Sequence, residues 1–312
     1  MKVAVLHDRP DDFREWLKEA APDCQFFWAD SPESVESMIG NAQPEAVFSI
    51  KHSQFPGPAH LPALHCPSVR WFHVGGSGTE HLGNWDRSRV TVTNSAGVLA
   101  PFHAERAVAS LLFLTQGLKR LSLAQQHSRW SPLRFPSLLG KRLLIIGLGH
   151  TGRELASRLR GFGMKITAAR RSPEPDPAVD EVVSLKDLPY HLPQADVVSL
   201  NVPLNASTRH LINSETLSHF KPGSLLLNGS RGDVVDQQAL WQSLRSGRLG
   251  GAWLDVTTPE PLPSDSPLWK HSRVLITPHC ADQVEDFPLW LAKFFVRNLE
   301  RYRGGKELLN QV

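Results

Sequence analysis

Residues 142–152 read RLLIIGLGHTG, an apolar run that leads straight into Gly147, Gly149 and Gly152. A bare GxGxxG string is weak evidence, but here a strand-like segment precedes it and a helical one follows, as a dinucleotide fingerprint requires. Gly147 would permit the tight turn, Gly149 would let the backbone approach a pyrophosphate, and Gly152 would let the helix pack close to the strand. His150 and Thr151 complete the turn, and the free amides of the first helical turn favour phosphate charge. The competing reading is a glycine-rich turn with no ligand; the strand-then-helix context favours the dinucleotide. Such a fingerprint opens a βαβ unit, so the chain from residue 142 onward is confined to a doubly wound α/β fold.

The rest of the chain fits that constraint. KITAA, ADVVSLNVP, SLLLNGS, GAWLDV and RVLITPH follow the fingerprint strand, giving six strand candidates in about 140 residues, mostly separated by helical stretches. Before the fingerprint, residues 2–6, 46–50 and 69–74 are strand-like, and residues 13–20 and 33–39 are helix-like. That alternation predicts a second parallel sheet covered by helices. Residues 103–126 read as one long helix with Ala, Leu and Val on its inward positions. Residues 287–302 are helical again, and a lone helix must pack back on earlier structure. The expected fold is α/β, with two Rossmann-like domains built on doubly wound parallel sheets. A cofactor domain of residues 99–283 is inserted into a discontinuous, flavodoxin-like substrate domain of residues 1–98 and 284–312. The Pro-rich stretches at 172–177 and 259–267 read as loops.

Composition removes several function classes. A net charge of +3 on 312 residues is too small and too spread for nucleic-acid binding, though it mildly favours anionic substrates. Three cysteines without CxxC spacing argue against a disulfide framework and for a reducing compartment. No long apolar segment follows Met1, so neither a signal peptide nor a membrane anchor is expected, and the location expected is cytoplasmic. Fourteen histidines occur without HExxH or Cys/His ligand spacing, and no metal site is expected.

An NAD enzyme would carry an acidic residue at the end of the second strand to bind the ribose hydroxyls. This chain has Arg170, Arg171 and Ser172 there. A carboxylate would repel a 2′-phosphate, whereas guanidinium groups bind it through charge-assisted hydrogen bonds. NADP(H) is therefore the preferred cofactor, with NAD(H) also accepted, unless the arginines are only a solvated face. Three later segments put polar residues at strand C-termini, where open α/β sheets form their ligand crevice: Gly229–Ser230–Arg231, Asp255 through Glu260, and Thr277–Pro278–His279.

At these segments the sequence resembles the D-2-hydroxyacid dehydrogenases (D-isomer specific), and within them the glyoxylate/hydroxypyruvate reductases. NGSRGDVVDQQAL is similar to the family's arginine segment, LDVTTPEPLP to its glutamate segment and TPH to its histidine segment, with spacings of 29 and 19 residues. TVTNSAGVLAPFHAERAVASLL is similar to its crossover helix and GGSGTEHL to its substrate loop. The resemblance implies reduction of small 2-oxo acids to D-2-hydroxy acids. His279 would give the proton, Glu260 would orient and charge the imidazole, and Arg231 would hold the substrate carboxylate and polarise the carbonyl. Backbone amides around Gly76, Ser77 and Gly78 would complete the carboxylate cradle. Asp255 is implied as a partner of the nicotinamide carboxamide, and Pro203, Gly229 and Ser230 as further cofactor contacts. Lys51 and His52 follow AVFSI at a turn that the resemblance places at the cleft, where they would bind substrate or be solvated. Trp130 lies in a segment that family dimers use at their interface, and a homodimer is the expected assembly. Asn201 stands where many relatives have histidine, which leaves details of the cofactor site open.

Three rivals share this scaffold. Formate dehydrogenases replace the glutamate by glutamine, so Glu260 counts against them. Phosphite oxidation keeps the Arg–Glu–His set and is not excluded by residues alone. A dinucleotide-sensing protein, like the corepressors built on this fold, would bind cofactor and turn over slowly or not at all.

Overall fold

The first strand sorts its side chains by parity. In β1 (Lys2–Leu6) Val3 and Val5 face one side and Ala4 and Leu6 the other, and all four are buried, as in a strand covered on both faces. The computed structural model describes residues 1–50 and 55–312, so Lys51 and His52 lie outside the described residues. β1 pairs in parallel with β2 (Gln25–Ala29) and β3 (Ala46–Ser49). With β4 (Trp71–Val74) and β5 (Thr91–Asn94) they form a five-stranded sheet of order β2-β1-β3-β4-β5. α1 (Arg14–Ala20) puts Leu17 against the Val3 face, while α2 (Ser34–Ala42) and α3 (Leu61–His65) cover the Ala4 face.

The chain then forms α4 (Ala100–Thr115) and α5 (Leu118–Gln126). The single helix expected over 103–126 is thus two. Gly117 between them takes φ +63°, and a Cβ there would sit 2.6 Å from Leu133 Cδ2. The backbone leaves the helical region at a residue that tolerates it.

Seven parallel strands follow: β6 (Arg142–Ile146), β7 (Lys165–Arg170), β8 (Glu181–Ser184), β9 (Val197–Leu200), β10 (Leu225–Asn228), β11 (Gly251–Leu254) and β12 (Val274–Ile276). Their order is β12-β11-β10-β9-β6-β7-β8, and β6, β9, β10 and β11 are mostly apolar and largely buried. α6 (His150–Arg160), α7 (Leu188–His191), α8 (Ser214–His219) and α9 (Gln237–Arg245) connect them. The order reverses between β6 and β9, the topological switch point at which open α/β sheets bind ligands.

Finally α10 (Phe287–Arg303) packs Leu291, Ala292, Phe295 and Leu299 onto the Val3, Phe48 and Trp71 face of the first sheet. The Phe295 ring stacks 4.7 Å from Phe48 and 5.0 Å from Trp71. Two compact units result, Met1–Leu99 with Val284–Val312, and Ala100–Gln283. Both have the helix-covered parallel α/β architecture expected of the chain. β2, β5 and β8 were not among the strand candidates: β2 and β5 edge the first sheet, and β8 edges the second.

Candidate active site

At the switch point the three glycines have separable reasons. Gly147 takes φ +97°, and a Cβ on it would collide with the Asn201 carbonyl at the end of β9. A Cβ on Gly152 would sit 2.5 Å from the Gly147 carbonyl oxygen, so α6 lies close against the turn. A Cβ on Gly149 would meet nothing within 4 Å. Two of the glycines serve the chain's own packing, and the third leaves open space. Gly149 is the N-cap of α6 and contributes no side-chain cap, so the first-turn amides beside exposed His150 and half-buried Thr151 keep their capacity for an anion.

The two arginines after β7 differ. Arg170 folds back, donating to the carbonyls of Ser172 at 2.6 Å and Glu174 at 3.2 Å and pairing with the Glu174 carboxylate at 3.6 Å. Arg171 is exposed and, among the described residues, has no polar partner. Ser172 is exposed beside it. Pro203 is exposed after β9, and its carbonyl accepts from Thr208 Oγ1 at 2.6 Å.

At the ends of β10, β11 and β12 three turns interlock. Asn228 closes β10 and organises the next three residues: its Oδ1 accepts from the amide and hydroxyl of Ser230 at 3.1 and 2.8 Å, and its Nδ2 donates to the Arg231 carbonyl at 3.1 Å. The Arg231 guanidinium donates to the Ser230 carbonyl at 2.8 Å. Gly232 lies so close to Thr257 that a Cβ would overlap its carbonyl. The arginine turn is thereby pressed onto the glutamate turn, and Gln237 Oε1 also accepts from the Thr258 amide at 3.1 Å. Glu260 uses Oε1 to accept from the Thr257 amide at 3.1 Å and Oε2 to meet His279 Nδ1 at 2.9 Å.

His279 takes φ +49°, a left-handed conformation uncommon outside glycine. Its amide donates to the Asp255 carbonyl at 2.7 Å and the Thr277 carbonyl at 3.0 Å. The Asp255 side chain, 2% exposed, accepts from Thr277 Oγ1 at 2.5 Å and from the amides of Cys280 and Ala281 at 3.1 Å each. Asp255 thus binds the histidine turn of its own chain, and both its oxygens are engaged. The His279 side chain remains 50% exposed and Glu260 39%.

The hydrogen bond from Glu260 raises the imidazole pKa; burial opposes it, the Glu260 charge adds to it, Arg231 subtracts, and the net shift is upward. Burial pushes the Glu260 carboxyl up, but the His279 hydrogen bond and charge, the Thr257 amide and Arg231 outweigh it and hold it below its ordinary value. Each partner thus favours the charged form of the other. Of the residues singled out from sequence, Gly147–Gly152 form one cradle, and Gly229, Ser230, Arg231, Asp255, Glu260 and His279 form one cluster. Gly76, Ser77 and Gly78 follow β4 in the N-terminal unit, where the Gly76 carbonyl accepts from Ser95 N at 2.9 Å and that of Ser77 from Asn94 Nδ2 at 2.8 Å. Sequence reading placed Asn228 and Thr277 at strand ends but gave them no role, their only signal being a polar residue closing an apolar strand.

Residues 108–281 match the sequence model of the D-isomer specific 2-hydroxyacid dehydrogenase, NAD binding domain. The chain belongs to this family. A glyoxylate reductase of Thermofilum pendens is 31% identical over 310 residues, covering 96% of this chain and 90% of the relative. The D-isomer specific 2-hydroxyacid dehydrogenase family protein from Aeromonas salmonicida superposes with a TM-score of 0.89 at 31% identity, covering 100% and 98% of the two chains. A family member from Xanthobacter autotrophicus, solved in complex with NADPH and MES, superposes with a TM-score of 0.81 at 28% identity, covering 99% and 97%. The protein is an oxidoreductase of this family that uses a nicotinamide dinucleotide, and the open space at Gly149 with the uncapped α6 amides fits that group.

Replacing Asp255 by Ala strands three donors around the histidine turn. We expect a loss of roughly 1–3 kcal/mol in chemical denaturation, with faster amide exchange at Cys280 and Ala281. Unchanged exchange there would show that the carboxylate does not hold the turn.

Proposed function

We propose that this dehydrogenase reduces small 2-oxo acids of the glyoxylate and hydroxypyruvate class to D-2-hydroxy acids, with NADPH preferred over NADH. The reading rests chiefly on the His279–Glu260 pair: Nδ1 is bound at 2.9 Å, and among the described residues Nε2 has no partner, beside the charge of Arg231. Bound nicotinamide supplies the hydride. Arg231 holds the substrate carboxylate with its planar fork and draws electron density from the carbonyl. His279 delivers the proton from Nε2 to the carbonyl oxygen, and Glu260 keeps the imidazole oriented and charged until it does. Gly147, Gly149 and Gly152, with the amides of His150 and Thr151, take the pyrophosphate. Pro203, Gly229 and Ser230 line the remainder of the cofactor path.

The assay is loss of nicotinamide absorbance with glyoxylate or hydroxypyruvate. Because the His279 pKa is raised, reduction should fail only as pH climbs through that raised value, above where an ordinary imidazole loses its proton. Glu260→Gln removes the largest raising influence, so the alkaline limb should move to lower pH. A limb that stays in place would separate Glu260 from the proton donor. No turnover with either substrate, cofactor binding being intact, would refute the reading.

Arg171 is the 2′-phosphate ligand, with Ser172 beside it, while Arg170 shapes the loop by binding Ser172 and Glu174. Arg171→Ala should raise the KM for NADPH about tenfold, the scale of one charge-assisted contact, and leave NADH little changed. Arg170→Ala should affect both cofactors alike. Equal effects of Arg171→Ala on both would show a solvated charge.

The protein works as a homodimer. α5 and the segment after it leave Leu121, Leu123, Trp130, Phe135 and Leu139 exposed, Trp130 by 97% and Leu139 by 75%, an apolar surface that a second copy would cover. Light scattering should give twice the chain mass, falling to the chain mass for Trp130→Glu with Leu139→Glu. A wild-type monomer at micromolar concentration would contradict it.

A further inference from the structure

His103 stands in the first turn of α4, with its ring against the β10 turn. A Cβ placed on Gly229 would lie 2.6 Å from His103 Cε1, 3.3 Å from its Nδ1 and 3.0 Å from Trp253 Cη2. A side chain at position 229 would therefore have to displace the imidazole or the indole that already occupies its space. Most hydrogen-bonding groups of this cluster are committed within the protein. Asn228 binds Ser230 and Arg231, Asp255 binds Thr277, Cys280 and Ala281, and Glu260 binds Thr257 and His279. The half-buried imidazole of His103 is not: among the described residues neither ring nitrogen has a hydrogen-bond partner. Both nitrogens therefore remain available to a partner from outside the protein.

The surrounding charges tell what that partner is. Burial lowers the His103 pKa most, Asp282 and Asp255 raise it, His279 and Arg231 lower it again, and the net shift is downward. At neutral pH the ring is uncharged, with one N–H donor and one N acceptor. A primary carboxamide presents the complement, an NH2 donor and a carbonyl acceptor. Asp255, the residue that resemblance assigns to the nicotinamide carboxamide, is 2% exposed with both oxygens engaged.

We propose that His103 is a positioning residue for the nicotinamide end of the cofactor, its imidazole hydrogen-bonding the carboxamide beside Asp255, to which resemblance gives the same group. The proposal rests on the dinucleotide reading given above. It makes His103 a determinant of how tightly the nicotinamide ring is held, separate from the pyrophosphate and 2′-phosphate contacts.

Calorimetric titration with two ligands tests it: NADPH, and 2′-phospho-ADP-ribose, which keeps the adenosine, phosphates and second ribose but lacks nicotinamide. His103→Leu should weaken NADPH about tenfold, the scale of one hydrogen bond whose partner is left buried, while the fragment binds as to wild type. His103→Gln, which keeps a donor and an acceptor, should recover most of the NADPH affinity. Equal weakening of both ligands by His103→Leu would reduce the residue to packing against Gly229 and overturn the proposal. So would NADPH affinity unchanged in that variant. Wild-type protein that binds neither ligand would overturn the dinucleotide reading itself; wild type that binds both, with variants indifferent, would overturn only the role of His103.

Discussion

The carboxylate of Asp255 lies buried at the end of β11 and draws Thr277, Cys280 and Ala281 around itself. A buried anion needs donors on every side, and here the donors come from the segment that follows β12. Satisfying the charge therefore forces that segment into a tight turn, and the turn's apex is His279, in a left-handed conformation with its amide on the Asp255 carbonyl. The imidazole position is thus a by-product of solvating one acid from within. Glu260 reaches the ring only because the turn is already made, and the Gly232–Thr257 contact sets the arginine at the same depth.

Two histidines in one cluster are driven apart electrostatically. Hydrogen bonding to Glu260 favours the charged form of His279, while burial in the first turn of α4 favours the neutral form of His103. The same residue type can then act as a cation and as a neutral amide-like partner a short distance apart. Arg231 pushes both pKa values down. Only for the ring with its own carboxylate is the net shift upward against that influence.

The parts legible in the sequence are those where one residue type is demanded locally. Gly147 and Gly152 could be read because backbone lies where their Cβ atoms would be. β6, β9, β10 and β11 could be read because they are covered on both faces. Arg231, Glu260 and His279 stood out because polar residues at the C-terminal ends of such strands have few structural uses, and resemblance then named their roles. The edge strands β2, β5 and β8 carry Gln, Thr and Glu among their apolar residues and lacked the same signal. The break at Gly117 was hidden because helical periodicity continues on both sides of it. The inward commitment of Asp255 and the setting of His103 depend on residues far away in the chain. No local pattern encodes them.

The placing of α10 imposes an order on biosynthesis. The sheet face formed by Val3, Phe48 and Trp71 is covered by Phe295 and Leu299, which the ribosome delivers only after the whole intervening unit has been made. At ~5–20 residues per second that delay is roughly 10–40 s. During it, the second unit has every residue it needs to fold, while the first, though begun earlier, holds an aromatic sheet surface open to water. The nascent chain is therefore most exposed to aggregation at its oldest end, and it depends on its last helix to close that surface.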